Sequence, residues 1–172
     1  MKAVLISIQP KWCELIARFK KLVEVRKTKP KLDVPFKCYI YCTKDKHGWF
    51  DFLKKERLDG KVIGEFVCDA IEHYTSNCTV FESVLLPSPS ELEEMCLTLE
   101  KFNSYGERGK LLYGWHISNL VIYDKPKELS EFRKFISFLE GESIEELEEC
   151  GLKNLRITRP PQSWCYVESL AG

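Results

Sequence analysis

FKKLVEVRK, residues 19–27, decides how the chain is read. Val23 and Val25 alternate with Leu22, Glu24 and Arg26, the period-two pattern of a strand with one apolar face. Its other face carries an acid and a base two residues apart, with Lys20 and Lys21 just ahead of them. On one strand face Glu24 and Arg26 stand about 6–7 Å apart, close enough for their side chains to meet or to grip one ligand from two sides. One reading is a surface ion pair contributing about 0–1 kcal/mol. The other is a site, in which Arg26 presents a planar fork to phosphate or a base edge, Lys21 a mobile point charge, and Glu24 an acceptor for an exocyclic amine.

Upstream, KAVLISI (2–8) is a β-branched run of strand length, closed by Gln9 and Pro10. Pro10 suits the first turn of a helix, and Trp12, Leu15, Ile16 and Phe19 recur at helical spacing along PKWCELIARF. Downstream, PFKCYIYCT (35–43) alternates Phe36, Cys38, Ile40 and Cys42 with Lys37, Tyr39, Tyr41 and Thr43, which predicts a strand with an aromatic and polar outer face. HGWFDFLKKERLDG (47–60) predicts an irregular link with a helical turn. A long strand follows over 60–74, with Gly64 marking a bulge or a close backbone approach. After a Ser/Pro-rich loop, Ser90 and Glu93 form a capping-box pattern ahead of a helix that buries Leu92, Met95, Cys96, Leu99 and Phe102. LLYGWHISNLVIYD (111–124) predicts a strand pair or one bent strand. Residues 130–152 are helical in pattern and acidic, with a second capping box at Ser143 and Glu146. A Pro-Pro turn then feeds a last strand, Trp164 and Tyr166 facing one way, Cys165 and Val167 the other. The sum is five or six mostly antiparallel strands with peripheral helices, an α+β domain around a small β-barrel.

A chain of 172 residues, 44% hydrophobic, can bury one good core, so one domain over 1–172 is expected. No apolar run spans a bilayer and MKAVLISIQPKW lacks a cleavage site, so the expected address is cytoplasmic, with no membrane partner. The eight cysteines are scattered through apolar segments, which predicts reduced core thiols. Cys38 and Cys42, four apart in a strand, lie about 13 Å from each other, too far to share one ion. Neither a metal nor another cofactor is expected. Net charge is zero, but residues 1–61 hold 16 Lys/Arg against 7 Asp/Glu, leaving 10 against 19 for the rest. A basic segment of this kind can build a local positive surface for phosphate.

The ordered blocks strand, helix, KKLVEVR, CYIYCTK, GKVIGEFVCD, YGWHISNLVIYDKPKEL and RPPQSWCYVE resemble the ASCH domain of the PUA-like superfamily, particularly its small bacterial and phage members. The resemblance covers the chain apart from about 75–105 and 130–156, which it marks as insertions. The family signature G-x-K-x-x-E-x-R is matched at Lys21, Glu24 and Arg26, with Phe19 in place of the glycine. The resemblance implies a PUA-like barrel with a cleft between barrel and first helix, and RNA or modified nucleosides and nucleotides as partners. Some small members resemble amidohydrolases of acylated cytidine that use a Lys, a Thr and a Glu; Glu24 stands where their Thr would be.

Unpaired bases are held by stacking as well as by charge. Trp12, Tyr41, Trp115 and Trp164 are therefore aromatic candidates, with Trp12 and Trp164 also suited to the core. Arg159, Gln162 and Ser163 sit on the stiff RPPQSW turn, where they could read a base edge or a phosphate, or form a plain turn. The leading expectation is RNA or modified-nucleotide binding through Lys21, Glu24, Arg26, Trp12, Tyr41, Trp115, Arg159, Gln162 and Ser163. One alternative is a hydrolase, an amidohydrolase of modified nucleosides or a ribonuclease, with Lys21 as base and Glu24 as its partner. Another is a protein-interaction module docking through the acidic segment. Oligomeric state is left open.

Overall fold

The computed structural model of the chain describes residues 1–44, 58–76, 86–107, 110–135 and 155–170. The helical turn expected near 47–60 and the acidic capping box at Ser143 and Glu146 lie outside the described residues, as do His47, Cys78 and Cys150.

β1 (Lys2–Ile8) is buried at every position after Lys2, as a strand covered on both faces must be. It pairs in parallel with β3 (Phe36–Cys42) and antiparallel with β8 (Trp164–Glu168). α1 (Pro10–Ala17) follows β1, and β2 (Val23–Arg26) follows α1. β4 (Val62–Cys68) lies on β3 and β7 (Ser118–Lys127) on β4, giving a five-stranded sheet in the order β7-β4-β3-β1-β8. β2 joins β6 (Leu111–His116) and β5 (Ile71–Thr75) in a second sheet of order β2-β6-β5.

The α+β class is as expected, but there are eight strands instead of five or six, because the two long stretches each bend once. The stretch predicted over 60–74 turns at Asp69–Ala70 to give β4 and β5, and that over 111–124 turns at Ile117 to give β6 and β7. The bends lie side by side, tied by the His116 N–H donating to the Ala70 carbonyl at 3.0 Å. Strand pairing among the described residues thus forms two sheets sharing a corner, where a continuous barrel was expected. Gly64 marks a close approach, as its place in the strand suggested: a Cβ there would sit 2.4 Å from the Val121 carbonyl oxygen on β7. Since that oxygen is backbone, β7 would have to move. Gly64→Ala is expected to destabilise by about 2–3 kcal/mol, read from the urea midpoint; an unchanged midpoint would show that β7 yields freely.

β3 is covered on both faces. Cys38, Ile40 and Cys42 enter the core that includes Ile6, Ile16 and Trp115, while Tyr39 and Tyr41 pack with Val62, Phe132, Ile157 and Val167 on the reverse side. The outward-facing role expected of Tyr41 is corrected: it is 4% exposed, because residues around Phe132 and Ile157 cover that face. The six described cysteines are free, and Cys13, Cys38, Cys42 and Cys68 are buried. Burial pushes the Cys13 and Cys38 thiols well up, and Cys68 to about 12.

α1 is shorter than its sequence pattern. It ends at Ala17, and Phe19, expected on its apolar stripe, is 67% exposed at φ 55°. The Phe19 N–H donates to Ile16 O at 2.8 Å and the Lys20 N–H to Leu15 O at 2.9 Å, the paired bonds of a Schellman motif with Phe19 at its left-handed position. The turn is therefore as tight as a glycine would make it, at the cost of placing a Cβ-bearing residue in the left-handed region. Phe19→Gly is expected to stabilise the protein by about 0.5–1 kcal/mol, measurable by thermal or urea unfolding; a clear destabilisation would mean that the exposed ring makes a contact worth more than the strain.

The helix predicted after the Ser/Pro-rich loop is two helices. α2 (Pro89–Glu94) starts two residues before the expected box: Ser88 Oγ accepts from the Glu91 N–H at 3.3 Å, and Glu91 accepts from the Ser88 N–H at 2.6 Å. Ser90 and Glu93 have the same spacing, but Pro89 with its fixed φ takes the first helical position and so sets the frame. Cys96, at φ 55°, ends α2, and Thr98 caps α3 (Leu99–Gly106). Met95 and Phe102 are buried as predicted, whereas Leu99 is turned outward by the break.

Candidate functional site

The carboxyl ends of β1 and β3, the start of α1, residues 24–26 of β2, α3 and the 160–162 turn enclose a cleft of about 480 Å³. Lys21, Glu24 and Arg26 line it; Lys21 is 3% exposed and Glu24 4%, and Arg26 is partly buried. Val23 and Val25 face the opposite way, into a core with Tyr74, Met95 and Phe102. The polar face of FKKLVEVRK is therefore neither solvated nor apolar; it forms the inner surface of the cleft.

Glu24 is the shared anion of two cations. Its Oε1 lies 3.0 Å from Arg26 Nη2, and its Oε2 lies 3.4 Å from Lys21 Nζ, an ion pair that is not aligned as a hydrogen bond. Each cation also donates to a carbonyl at 2.6 Å, Lys21 to Met95 O and Arg26 to Ser7 O. Two cations against one carboxylate leave a surplus positive charge in a region shielded from water, which a further anion or electron-rich group would relieve. Arg26 Nε has no hydrogen-bond partner. The Trp12 ring flanks this trio, its centroid 4.9 Å from Lys21 Nζ and 4.7 Å from Lys11 Nζ.

Lys21 also fastens one wall of the cleft. Besides its bond to Met95, the neighbouring Leu22 N–H donates to Glu94 O at 2.8 Å and Cys96 Sγ to Lys20 O at 3.3 Å. These three bonds hold the α2–α3 junction against the entry to β2, and the wall contributes Leu97, Lys101 and Tyr105 to the lining. The opposite rim is held by Ser7, whose Oγ donates to Pro161 O at 2.6 Å and whose N–H donates to Ser163 O at 2.9 Å.

Of the residues singled out in the sequence, Lys21, Glu24, Arg26, Trp12 and Gln162 come together in this lining. Tyr41, Trp115, Arg159 and Ser163 are not part of it. Tyr41 is packed on the reverse side of the large sheet. Trp115 stands opposite Glu24 in the β2–β6 register but is fully buried, edge-on to Phe36 at 5.9 Å and tilted against Trp164 at 6.0 Å. It supports the site from behind and offers no ring to a ligand. Arg159 is exposed beside the rim, and Ser163 acts through its backbone carbonyl. Sequence reasoning missed Ser7, Gln9, Thr43, Leu97, Lys101 and Tyr105. For Lys101 and Tyr105 the sequence carries a signal, a cation and an aromatic one helical turn apart, but in a segment that the family resemblance marks as an insertion. His116 lies 3.3 Å from Glu72 Oε2 and outside the cleft lining. Among the described residues no three His, Cys, Asp or Glu side chains converge into a metal site, and no helix is long and apolar enough to cross a membrane.

At the level of sequence, no family model and no curated protein matches the chain. Solved structures do. ASCH from Zymomonas mobilis superposes with a TM-score of 0.53 at 20% identity, covering 96% of this chain and 87% of its own. Two single-residue variants of that protein give TM-scores of 0.54, one at 18% identity over 98% and 91% of the two chains, the other at 19% over 96% and 88%. At such identity the likeness is one of fold, and it spans almost the whole length of both molecules. The fold of this chain is therefore an ASCH-like one.

Proposed function

We propose that the cleft binds RNA or a nucleotide, holding a phosphate or an electron-rich base edge near Arg26 and Lys21 and a base against Tyr105 or Trp12. The observation that carries this reading is the surplus cation of the Lys21–Glu24–Arg26 trio, buried in a cleft whose wall adds Lys101 and an aromatic ring. A volume of about 480 Å³ falls within the range of small-ligand sites. An ASCH-like fold agrees with this reading. The test is titration of nucleotides and short RNAs by calorimetry at low salt, with Tyr105→Ala as the variant, because Tyr105 is 39% exposed and its loss leaves the core intact. Loss of one stacked base corresponds to about 1–3 kcal/mol, roughly a 5- to 150-fold weaker Kd. Absence of binding to every nucleotide and RNA tried at low salt would sink the reading.

The second reading, a hydrolase of modified nucleosides or of RNA, uses the same cleft and is favoured by the 3.4 Å approach of Lys21 to Glu24 in a cleft that Thr43 also lines. Against it stands the engagement of Lys21 by Met95, since a lysine fastening a wall is not free to shuttle protons. Product formation from acylated nucleosides or RNA that disappears in Lys21→Gln would favour it over simple binding. The interaction-module reading rests on the acidic segment, most of which lies outside the described residues.

A further inference from the structure

Outside the cleft, the chain leaves β2 through KTKPK (27–31), with Lys27, Lys29 and Lys31 exposed at alternate positions and no acid before Asp33. This segment begins at the cleft rim: Lys27 Nζ lies 5.2 Å from the centroid of Tyr105, which is itself in the lining, and also pairs with Glu107. Lys29 Nζ lies 5.9 Å from the Tyr113 ring and 3.2 Å from His73 Nε2, and His73 meets Tyr113 edge-on at 5.1 Å. On the other flank the segment is pinned to β8. Trp164 Nε1 donates to Thr28 Oγ1 at 3.0 Å, and the Lys31 N–H donates to the Tyr166 hydroxyl at 2.6 Å. The result is a held ledge of cations and aromatic rings continuous with one end of the cleft.

We propose that this ledge carries the backbone of a single-stranded polynucleotide, one nucleotide of which occupies the cleft, so that the ligand is a polymer and not a free nucleotide. The inference rests on the nucleotide-binding reading of the cleft and extends it. A mononucleotide seated near Arg26 places its phosphates within the cleft and leaves Lys29 and Lys31 unused. A strand continuing past Tyr105 meets a cation at every second residue and aromatic faces beside them, the combination by which single strands are held without reading their sequence. Anchoring the ledge on Trp164 and Tyr166 in advance lowers the ordering cost of that contact.

The test compares cytidine and adenosine monophosphates with random-sequence RNA oligonucleotides of two to eight residues, on the wild-type protein and on the double variant Lys29→Ala, Lys31→Ala. Both lysines are exposed, so the variant is expected to fold, and its circular dichroism and melting temperature are the check. Affinity should rise with length over the first several nucleotides and then level off. The double variant should bind the longer oligonucleotides about tenfold more weakly at physiological salt, with the slope of log K against log salt reduced by about 1.4, while the monophosphates are unaffected. If the monophosphates bind as tightly as the octamer and the double variant changes neither, the ledge carries no strand, though the cleft keeps its nucleotide. If neither monophosphates nor oligonucleotides bind, the cleft reading itself falls and this inference with it.

Discussion

Glu24→Ala is expected to lower the unfolding free energy by about 3–5 kcal/mol, the cost of leaving buried charge without its partner. The carboxylate side chain is 6% exposed and stands between an ammonium and a guanidinium that are 3% and 13% exposed. Its removal strands two cations, not one, with only the carbonyls of Met95 and Ser7 to receive their protons. Glu24→Gln keeps the shape and one acceptor for Arg26 and should fall between wild type and Ala. The natural control is Glu14→Ala, which breaks the Arg18–Glu14 pair at 2.7 Å where the arginine side chain is 53% exposed. There screening and side-chain entropy leave an effect of at most about 1 kcal/mol. Urea unfolding of the three variants settles the matter: if Glu24→Ala costs no more than Glu14→Ala, the trio is not the buried charge cluster described above.

Lys21→Ala should cost about 2–4 kcal/mol, and the loss should be local in its consequences. Glu24 retains Arg26, but the Met95 carbonyl loses its 2.6 Å donor and the α2–α3 wall loses one of its three bonds to the entry of β2. Amide hydrogen exchange is the discriminating measurement. Residues 89–106 should exchange faster in the variant while β1 and β3 keep their protection, because local opening of the wall needs no disruption of the central sheet. Uniform loss of protection would identify Lys21 as a general stability residue; unchanged exchange in α2 and α3 would remove its fastening role. On the proposed nucleotide-binding reading, affinity should fall together with the protection of the wall, since Lys101 and Tyr105 are carried on it.

Both expectations concern residues already legible in the sequence, and the contrast with those that were not has a physical cause. Lys21, Glu24 and Arg26 fall within six residues, where period-two alternation fixes which side chains share a face whatever the rest of the molecule does. Tyr41 obeyed the same alternation, and its face was correctly separated from that of Cys38 and Cys42. Whether that face meets water depended on Phe132 and Ile157, some ninety or more residues away, and no local pattern reports on that. Trp115 likewise lies in register with Glu24, but whether an aromatic side chain opens onto the cleft or packs behind it is settled by Phe36 and Trp164. The helix starts show a finer version of the same limit. Two capping-box patterns overlapped at 88–93, and the backbone constraint of Pro89 selected between them.

The amino-acid sequence by itself determined the buried central strand, the helix after it and the charged face of β2, because hydrophobic periodicity and proline placement act over a few residues. The tight turn at residue 19 was not legible there, since helical spacing carried Phe19 onto the apolar stripe and the folded chain instead holds it at φ 55°. Only the tertiary structure decided that β4–β5 and β6–β7 turn a common corner, that the segment read as an insertion walls the cleft, and that Lys21 is spent in part on holding that wall. Those outcomes come from contacts between residues far apart in the chain, whose free energy depends on burial and on which backbone carbonyls are left without donors, quantities that exist only once the chain has closed on itself.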